Sequence, residues 1–142
     1  MPNPSPRAED SEPLIQQMTA AVAGLNWMSE TDAPFEVLCW TEISQDGLTV
    51  EQVIAQAQLP PETPIEFISL DDFLDPVTQP QPWHREEDAQ QFEQFQDLRR
   101  LLEQTLTQIR VYRCGMGELD IYVVGQAQDL GWLVLHTTAV ET

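Results

Sequence analysis

Three strand-like runs separated by short connections fill the last third of the chain, and they constrain the fold more than any other feature. The runs are RVYRCG from Arg110, ELDIYVVGQ from Glu118 and WLVLHTTAVET from Trp132. The first two are joined through GMG and the second two through QAQDLG. Connections this short join neighbouring strands that run in opposite directions. The sequence therefore predicts an antiparallel meander.

Two helices are expected in the first sixty residues. An apolar stripe with spacings of three and four predicts a first helix, which Ser11 could cap and Gly24 could end. The stripe consists of Leu14, Met18, Ala21, Val22 and Leu25. TVEQVIAQAQL predicts a short second helix, because Thr49 and Gln52 stand at the spacing of a capping box. The prolines of LPPETP then end it.

The rest of the chain before the meander alternates strand and helix patterns. PFEVLCW and IEFISL are typical of strands, whereas SLDDFLDPV predicts a turn or a short helix opened by Ser69. PVTQPQPW contains three prolines, so its backbone is expected to be irregular and to lie on the surface. A long helix follows, with Glu86, Glu87 and Asp88 in its first turn, where the helix dipole favours acids. Its predicted apolar stripe is Phe92, Phe95, Leu98, Leu102, Leu106 and Ile109.

Helices early in the chain and strands late in it are typical of the α+β class. We predict a mixed or mainly antiparallel sheet of four or five strands, covered by helices. The 142 residues fit a single domain, and 42% of them are hydrophobic, which is enough for one core. The proline-rich segment 1–12 is expected to be a flexible tail, and residues 13–142 are expected to form the domain.

The charge of the chain limits its partners. It contains 24 acidic residues and 6 basic ones, all of them arginine, for a formal net charge of −18. Such a chain repels nucleic acid and anionic membranes, so direct binding to either is not expected. It attracts a basic protein and accelerates association with it. The alternative is an acidic surface that serves solubility alone.

The usual catalytic motifs are missing from the sequence. It has no glycine-rich phosphate loop, no nucleophile elbow and no Cys/His pattern for zinc. Cys39 and Cys114 match no ligand or redox spacing, and both are interpreted as buried thiols in strands. With no apolar signal segment and no run long enough to span a membrane, the chain is expected to be cytoplasmic.

The two histidines and a pair of acids are the candidate catalytic groups of the sequence. His84 is interpreted as a loop residue, and His136 as a sheet histidine satisfied by a neighbouring side chain. Glu118 and Asp120 stand two apart on one face of a strand, where they could share a proton or hold a cation. Pairs of this kind are expected by chance in so acidic a chain. We therefore predict neither enzymatic activity nor a cofactor.

Several stretches together resemble one known family. They are GLNWMSETDAPFEVLCW, QPWHREED, VYRCGMGELDIYVVGQ and the closing AVET, and they are similar to the nuclease A inhibitor family over about residues 14–142. The resemblance implies an α/β/α sandwich. It also implies a small acidic inhibitor of a sugar-non-specific, magnesium-dependent nuclease that cuts DNA and RNA. The acidic charge fits this function, because a nuclease holds phosphates in a basic cleft and carboxylates imitate that charge.

The resemblance also implies the residues that contact the nuclease. By its position in the MSE bend, Glu30 would reach the catalytic magnesium of the nuclease, in the complex only, and magnesium prefers such oxygen ligands. Trp83 would be an interface contact, and tryptophan is a frequent interface anchor. Thr142, at the end of the chain, would enter the active site. Pro82 stands where the family pattern has an acid, which puts one polar contact in question.

Two other functions are compatible with the sequence. One is an acidic adaptor that binds a different basic protein, in which case the resemblance is one of fold and not of target. The other is a small hydrolase built on Glu118 and Asp120.

Overall fold

The computed structural model of the protein describes residues 8–28, 32–40, 49–78, 89–127 and 131–140. Within these ranges the helices are α1 (Ala8–Val22), α2 (Val50–Ala57), α3 (Leu70–Thr78) and α4 (Ala89–Thr105). The strands are β1 (Asn26–Met28), β2 (Asp32–Pro34), β3 (Glu36–Trp40), β4 (Ile65–Ile68), β5 (Leu106–Met116), β6 (Glu118–Ala127) and β7 (Gly131–Val140).

Five strands form the main sheet, in the order β3, β7, β6, β5, β4. Every neighbouring pair in it is antiparallel, and β5, β6 and β7 form the predicted meander. β1 and β2 pair separately as a two-stranded antiparallel hairpin. The α+β class is thus confirmed, with a sheet that is antiparallel throughout the described strands.

Two apolar cores lie on the two faces of the sheet. Successive strand residues point to opposite faces, so Val111 belongs to one core and its neighbour Tyr112 to the other. α1, α3 and α4 contribute to the first core, where Met18, Phe95 and Leu98 are fully buried or nearly so. α2 contributes to the second core. The helices therefore sandwich the sheet in three layers, as the resemblance implied.

The local capping signals of the sequence are confirmed for two helices. The hydroxyl of Thr49 accepts the Gln52 main-chain N–H at 3.2 Å, and the Gln52 side chain accepts the Thr49 N–H at 2.9 Å. The Ser69 hydroxyl accepts the main-chain N–H of Asp72 at 3.0 Å and opens α3 as a helix. Gly24 follows α1 with a φ of 73°, a conformation that suits glycine.

Two predicted helix boundaries are wrong, and so is the irregular backbone predicted for residues 76–78, because α3 continues through Pro76 to Thr78. α1 begins at Ala8, so Ser11 lies inside the helix and does not cap it. α4 ends at Thr105, and Leu106 and Ile109 belong to β5. A register shift near Gln108, whose φ is 52°, lets this early part of β5 pair with β6. Strand pairing with β6 therefore decides the structure of this segment, although its apolar residues continue the spacing of the helix. Glu86, Glu87 and Asp88 lie outside the described residues.

Candidate functional site

The three partner-contact residues that the resemblance implies are not among the described residues. Glu30 lies in sequence between β1 and β2, Trp83 between α3 and α4, and Thr142 after β7. Pro82 and His84 also fall outside the described ranges. The structure does describe the elements that flank Glu30 and Trp83 in sequence, and the strand β7 that precedes Thr142. Those elements form the frame of the candidate site.

The β1–β2 hairpin is the first part of this frame. Asn26 lies opposite Pro34, and Met28 lies opposite Asp32 at the end of the hairpin that we call its tip. The ring of Trp27, in the middle of β1, stacks on Phe73 of α3 with centroids 4.3 Å apart and planes at 16°. Such aromatic pairs add to the gain from burial. The hairpin is therefore packed against the helices.

Two glutamines of α4 hold the start of the hairpin and the end of α1. Gln91 accepts the main-chain N–H of Asn26 at 3.4 Å and donates to the Gly24 carbonyl at 3.4 Å. Gln94 donates to two carbonyls at the end of α1, including that of Ala23 at 2.8 Å. These carbonyls have no further turn of helix to bond them. α4 thus fixes where α1 ends and β1 begins.

Thr137 of β7 contacts the other strand of the hairpin. Its hydroxyl donates to the main-chain carbonyl of Pro34 at 3.0 Å and lies 3.4 Å from that of Ala33. Thr137 is only 1% exposed, and among the residues that the structure describes it is the one polar residue classed as buried. Its side chain therefore links β2 to β7 in the interior.

The hairpin tip and the end of β7 lie toward the same end of the main sheet. β3 and β7 are antiparallel, and Glu36, the first residue of β3, lies opposite His136. The residues that precede β3 are therefore expected to lie toward the C-terminal end of β7. The contacts of Thr137 with β2 continue this trend. Asp32, at the tip, is thereby brought toward Val140, the last residue of β7.

α4 spans the sheet between its two ends. It starts beside the hairpin, where Gln91 bonds Asn26. At its other end it leads into Leu106, which lies opposite Ala127. Ala127 in turn lies opposite Gly131, the first residue of β7. The start of α4 is therefore near the hairpin, and its end is near the opposite end of the sheet.

A cavity opens at the same end of the sheet, on the β4 edge. It has a volume of about 390 Å³ and includes Met116 and Gly117 from the turn between β5 and β6. Met116 is 81% exposed, and it lies opposite Glu118, the residue that pairs with Val140. An ion pair between Arg113 and Glu66, at 3.0 Å, lines one side. None of the predicted site residues is described in this cavity.

His136 forms a separate polar cluster on the α2 side of the sheet. Its Nδ1 lies 2.5 Å from Glu36 Oε1, and its Nε2 lies 2.9 Å from Asp120 Oδ1. Its ring stacks on Tyr122 with centroids 4.8 Å apart. A neutral imidazole can donate to one of these carboxylates and a protonated one to both. The prediction of a sheet histidine satisfied by neighbouring side chains is confirmed.

This cluster also bears on the proposed pair of acids. The carboxylate of Asp120 is engaged by His136, and Glu118 lies exposed at the start of β6. Burial, and then the charge of Asp120, raises the pKa of Tyr122. Within the described ranges, no group of three or more His, Cys, Asp or Glu side chains could hold a metal ion. The geometry gives the two acids no shared site.

Neither Cys39 nor Cys114 forms a disulfide, as expected for structural thiols. Cys114 is 1% exposed, and burial, followed by the charge of Asp120, raises its pKa to about 12. Cys39 is only partly buried, which differs from the prediction of a fully buried thiol, and burial raises its pKa as well. A raised pKa keeps a thiol neutral and unreactive. Neither thiol has the character of a nucleophile.

Sequence reasoning missed the residues that hold the frame together. The sequence patterns single out none of Trp27, Gln91 and Thr137. A polar residue in an apolar strand is a signal for Thr137, although Thr138 beside it carries the same signal and is exposed.

None of the helices in the described ranges is long and apolar enough to cross a membrane.

Comparison with known protein families gives a match for nearly the whole chain. A family model described as "NuiA: Nuclease A inhibitor-like protein" matches residues 12–142, nearly the whole chain. No curated protein matches the sequence significantly.

Proposed function

The chain belongs to the nuclease A inhibitor-like family, and we propose that it inhibits a sugar-non-specific, magnesium-dependent nuclease by occupying its active site. The observation that carries this proposal is the family match over residues 12–142. In this proposal the protein binds stoichiometrically, is not turned over and needs no cofactor of its own. It would act in the cytoplasm, on a nuclease whose cleft is basic.

The acidic charge supports this mode of binding. The net charge is −18, and several of the few arginines are already paired with acids of the same chain. Arg99 bonds Asp71 and Asp75, and Arg113 bonds Glu66. The basic groups therefore do little to interrupt the negative surface. A basic cleft that accepts phosphates would accept such a surface in their place.

We propose Glu30, Trp83 and Thr142 as the contact residues, with Glu30 reaching the magnesium of the nuclease. The frame supports this assignment in two ways. The hairpin tip, which flanks Glu30 in sequence, and Val140, which precedes Thr142, lie toward one end of the sheet. α4, which follows the Trp83 segment, starts beside the same hairpin. A rigid frame would spare the complex part of the entropic cost of ordering these segments.

A titration of nuclease activity tests the proposal. The purified protein is added to a sugar-non-specific nuclease with magnesium, and cleavage of DNA and of RNA is followed separately. We expect both activities to be lost together at about one inhibitor per nuclease, because one active site cuts both substrates. Undiminished cleavage at excess protein would overturn the proposal. Binding without loss of cleavage would favour the adaptor function instead.

Glu30→Gln tests the assignment of the metal contact. The variant keeps the shape of the side chain and removes its charge, so the complex should weaken by about 2 to 5 kcal/mol. The matched control is Glu51→Gln, which neutralises an exposed acid on α2, and α2 covers the face of the sheet opposite to the one that Trp27 of the hairpin packs on. Dissociation constants from isothermal calorimetry or inhibition assays would separate the two. Equal affinity for Glu30→Gln and Glu51→Gln would remove Glu30 from the mechanism.

A further inference from the structure

We propose that Thr137 is a positioning residue for inhibition: its buried hydroxyl fixes the β1–β2 hairpin on β7, next to the end of the chain. The inference rests on the proposed function, because it assumes that two segments contact one nuclease. They are the segment between Met28 and Asp32, which contains Glu30, and the segment after β7, which contains Thr142. Thr137 itself is buried, so we do not expect it to contact the nuclease. Its effect would pass through the backbone of the hairpin.

The first step of the argument is where the main-chain pairing stops. β7 is bonded along its length to β6, and to β3 as far as the pair of Glu36 and His136. β2 belongs to the separate two-stranded sheet. The polar link that the structure describes between β2 and β7 is therefore a side-chain link. Thr137 supplies it, through its contacts with Pro34 and Ala33.

The second step is the position of that link in the fold. Pro34 is the last residue of β2, and Phe35 alone separates it from β3. Here the chain passes from the hairpin into the main sheet. A small rotation of the backbone at this point would therefore move the hairpin tip by a larger distance. The stack of Trp27 on Phe73 restrains β1 from the helix side. Thr137 restrains β2 from the sheet side, and the hairpin is held between the two.

The third step is the cost of losing the hydroxyl. Without it, the carbonyl of Pro34, an exposed residue, loses its bond to β7, and the carbonyl of the buried Ala33 loses a polar contact at a place where a missing hydrogen bond is unfavourable. The hairpin would relax toward water to recover a hydrogen bond. The two proposed contact segments would then have to be ordered on binding, which weakens the complex and speeds its dissociation.

Three variants separate positioning from other effects. Thr137→Val keeps the β-branched shape and removes the donor, whereas Thr137→Ser keeps the donor. Thr138→Val removes the hydroxyl of the exposed neighbour on the same strand. If Thr137→Val proves unfolded by circular dichroism, Thr137→Ala replaces it. All measurements are made at a temperature at which each variant is folded, so that loss of stability alone cannot reduce inhibition.

We expect Thr137→Val to inhibit the nuclease about tenfold more weakly. The loss should appear in the dissociation rate, and the salt dependence of association should not change because no charge changes. Thr137→Ser and Thr138→Val should behave like the unmodified protein. Amide hydrogen exchange of the free proteins should be faster in residues 26–34 of Thr137→Val alone.

The outcomes distinguish this inference from the proposed function. If the unmodified protein inhibits and Thr137→Val inhibits equally well, the inference is overturned and the proposed function stands. Unchanged hydrogen exchange in the hairpin of Thr137→Val would also overturn it, whatever the inhibition. If the unmodified protein does not inhibit, the proposed function fails, and the inference fails with it.

Discussion

At the scale of single residues, His136 shows how a polar group is accommodated in an apolar sheet. It lies between Glu36 of β3 and Asp120 of β6 and bonds both carboxylates. Its position in the middle strand of the three makes it a cross-link between side chains of neighbouring strands. Buried polar groups are tolerated when they are bonded in this way. A structural role accounts for every described contact of the ring.

Cys114 and Tyr122 make the stability of the protein sensitive to alkaline pH. Burial and the charge of Asp120 raise the pKa of Cys114 from 9.0 to about 12, and the same two causes raise that of Tyr122. Between pH 9 and 12 the unfolded chain loses protons that the folded chain keeps. The free energy of unfolding therefore decreases as the pH rises through this range. Below it, neither group contributes to the pH dependence.

Urea unfolding at about pH 8 and about pH 10.5 would measure this decrease. Cys114→Ala should make the decrease smaller, because it removes one of the two groups. Cys39→Ala, which removes the more exposed thiol, should change it less. A decrease that is unaltered in Cys114→Ala would contradict the assignment.

Residue roles could be predicted from the sequence only where they follow from the local pattern. The interpretation of His136 as a satisfied sheet residue needed only its place in an apolar strand. Its partners could not be named, since Glu36 is 100 residues away in the chain. For the same reason the role of Thr137 was missed: its acceptors, on Ala33 and Pro34, lie more than 100 residues before it.

At the scale of elements, α2 depends on the capping box at its start. Thr49→Ala removes the acceptor of the Gln52 N–H and should cost about 1 kcal/mol of unfolding free energy. The matched control is Thr19→Ala, within α1, where the threonine hydroxyl only bonds the Ile15 carbonyl of its own helix. That change should be neutral or slightly stabilising, because alanine is the better helix former. Equal losses in urea unfolding would contradict the role of the cap.

Leu106, at the start of β5, packs closely against Gly125 of β6. A Cβ placed on Gly125 would lie 2.7 Å from Cδ1 and 2.8 Å from Cβ of Leu106, which is buried. Gly125→Ala should therefore destabilise the protein by about 1 to 3 kcal/mol. Leu106→Ala alone should cost about 2 to 5 kcal/mol.

The double variant decides whether this contact is the cause. Because the alanine of Gly125→Ala would fill space that Leu106→Ala vacates, the two losses should not add. The unfolding free energies of the four proteins, from urea titrations, complete the cycle. Additive losses would mean that Gly125 is required for another reason.

The elements that the sequence predicted best have strong local signals. The meander, β4 and α2 were all predicted from alternation, turns or caps. The end of α4 was misplaced because Leu106 continues the helical stripe, while its contact with Gly125 is visible only in three dimensions. β1 and β2 have three residues each, too few for a periodic pattern. The contacts that hold them in place, made by Trp27, Gln91 and Thr137, join residues far apart in the chain.

At the scale of the whole molecule, the three layers give the acidic chain a rigid core. Large side chains on both faces of the sheet are buried, including Phe95 on one and Trp132 on the other. The layering was expected only through the resemblance, because the pattern of the sequence does not say which helix covers which face. The charge was readable from composition alone. The candidate site depends on both the layering and the charge, since it needs a fixed frame and a negative surface.

The charge makes a prediction that separates binding from solubility. If the acidic surface guides the protein to a basic cleft, the association rate with the nuclease should fall at least about tenfold between about 0.05 and 0.5 M salt. The dissociation rate should change much less, because contacts within the complex are shielded from the solvent. Stopped-flow association measurements at constant magnesium concentration would provide both rates.

The control for this experiment is the protein alone. Salt also screens the repulsion among the chain's own acids, so the free protein should become more stable as salt increases. A weaker complex at high salt therefore cannot be explained by unfolding. Glu30→Gln removes one of 24 acids, and it should slow association little while speeding dissociation, which separates a local contact from the overall field. An association rate that is independent of salt would instead leave the 24 acids with the role of keeping the protein soluble.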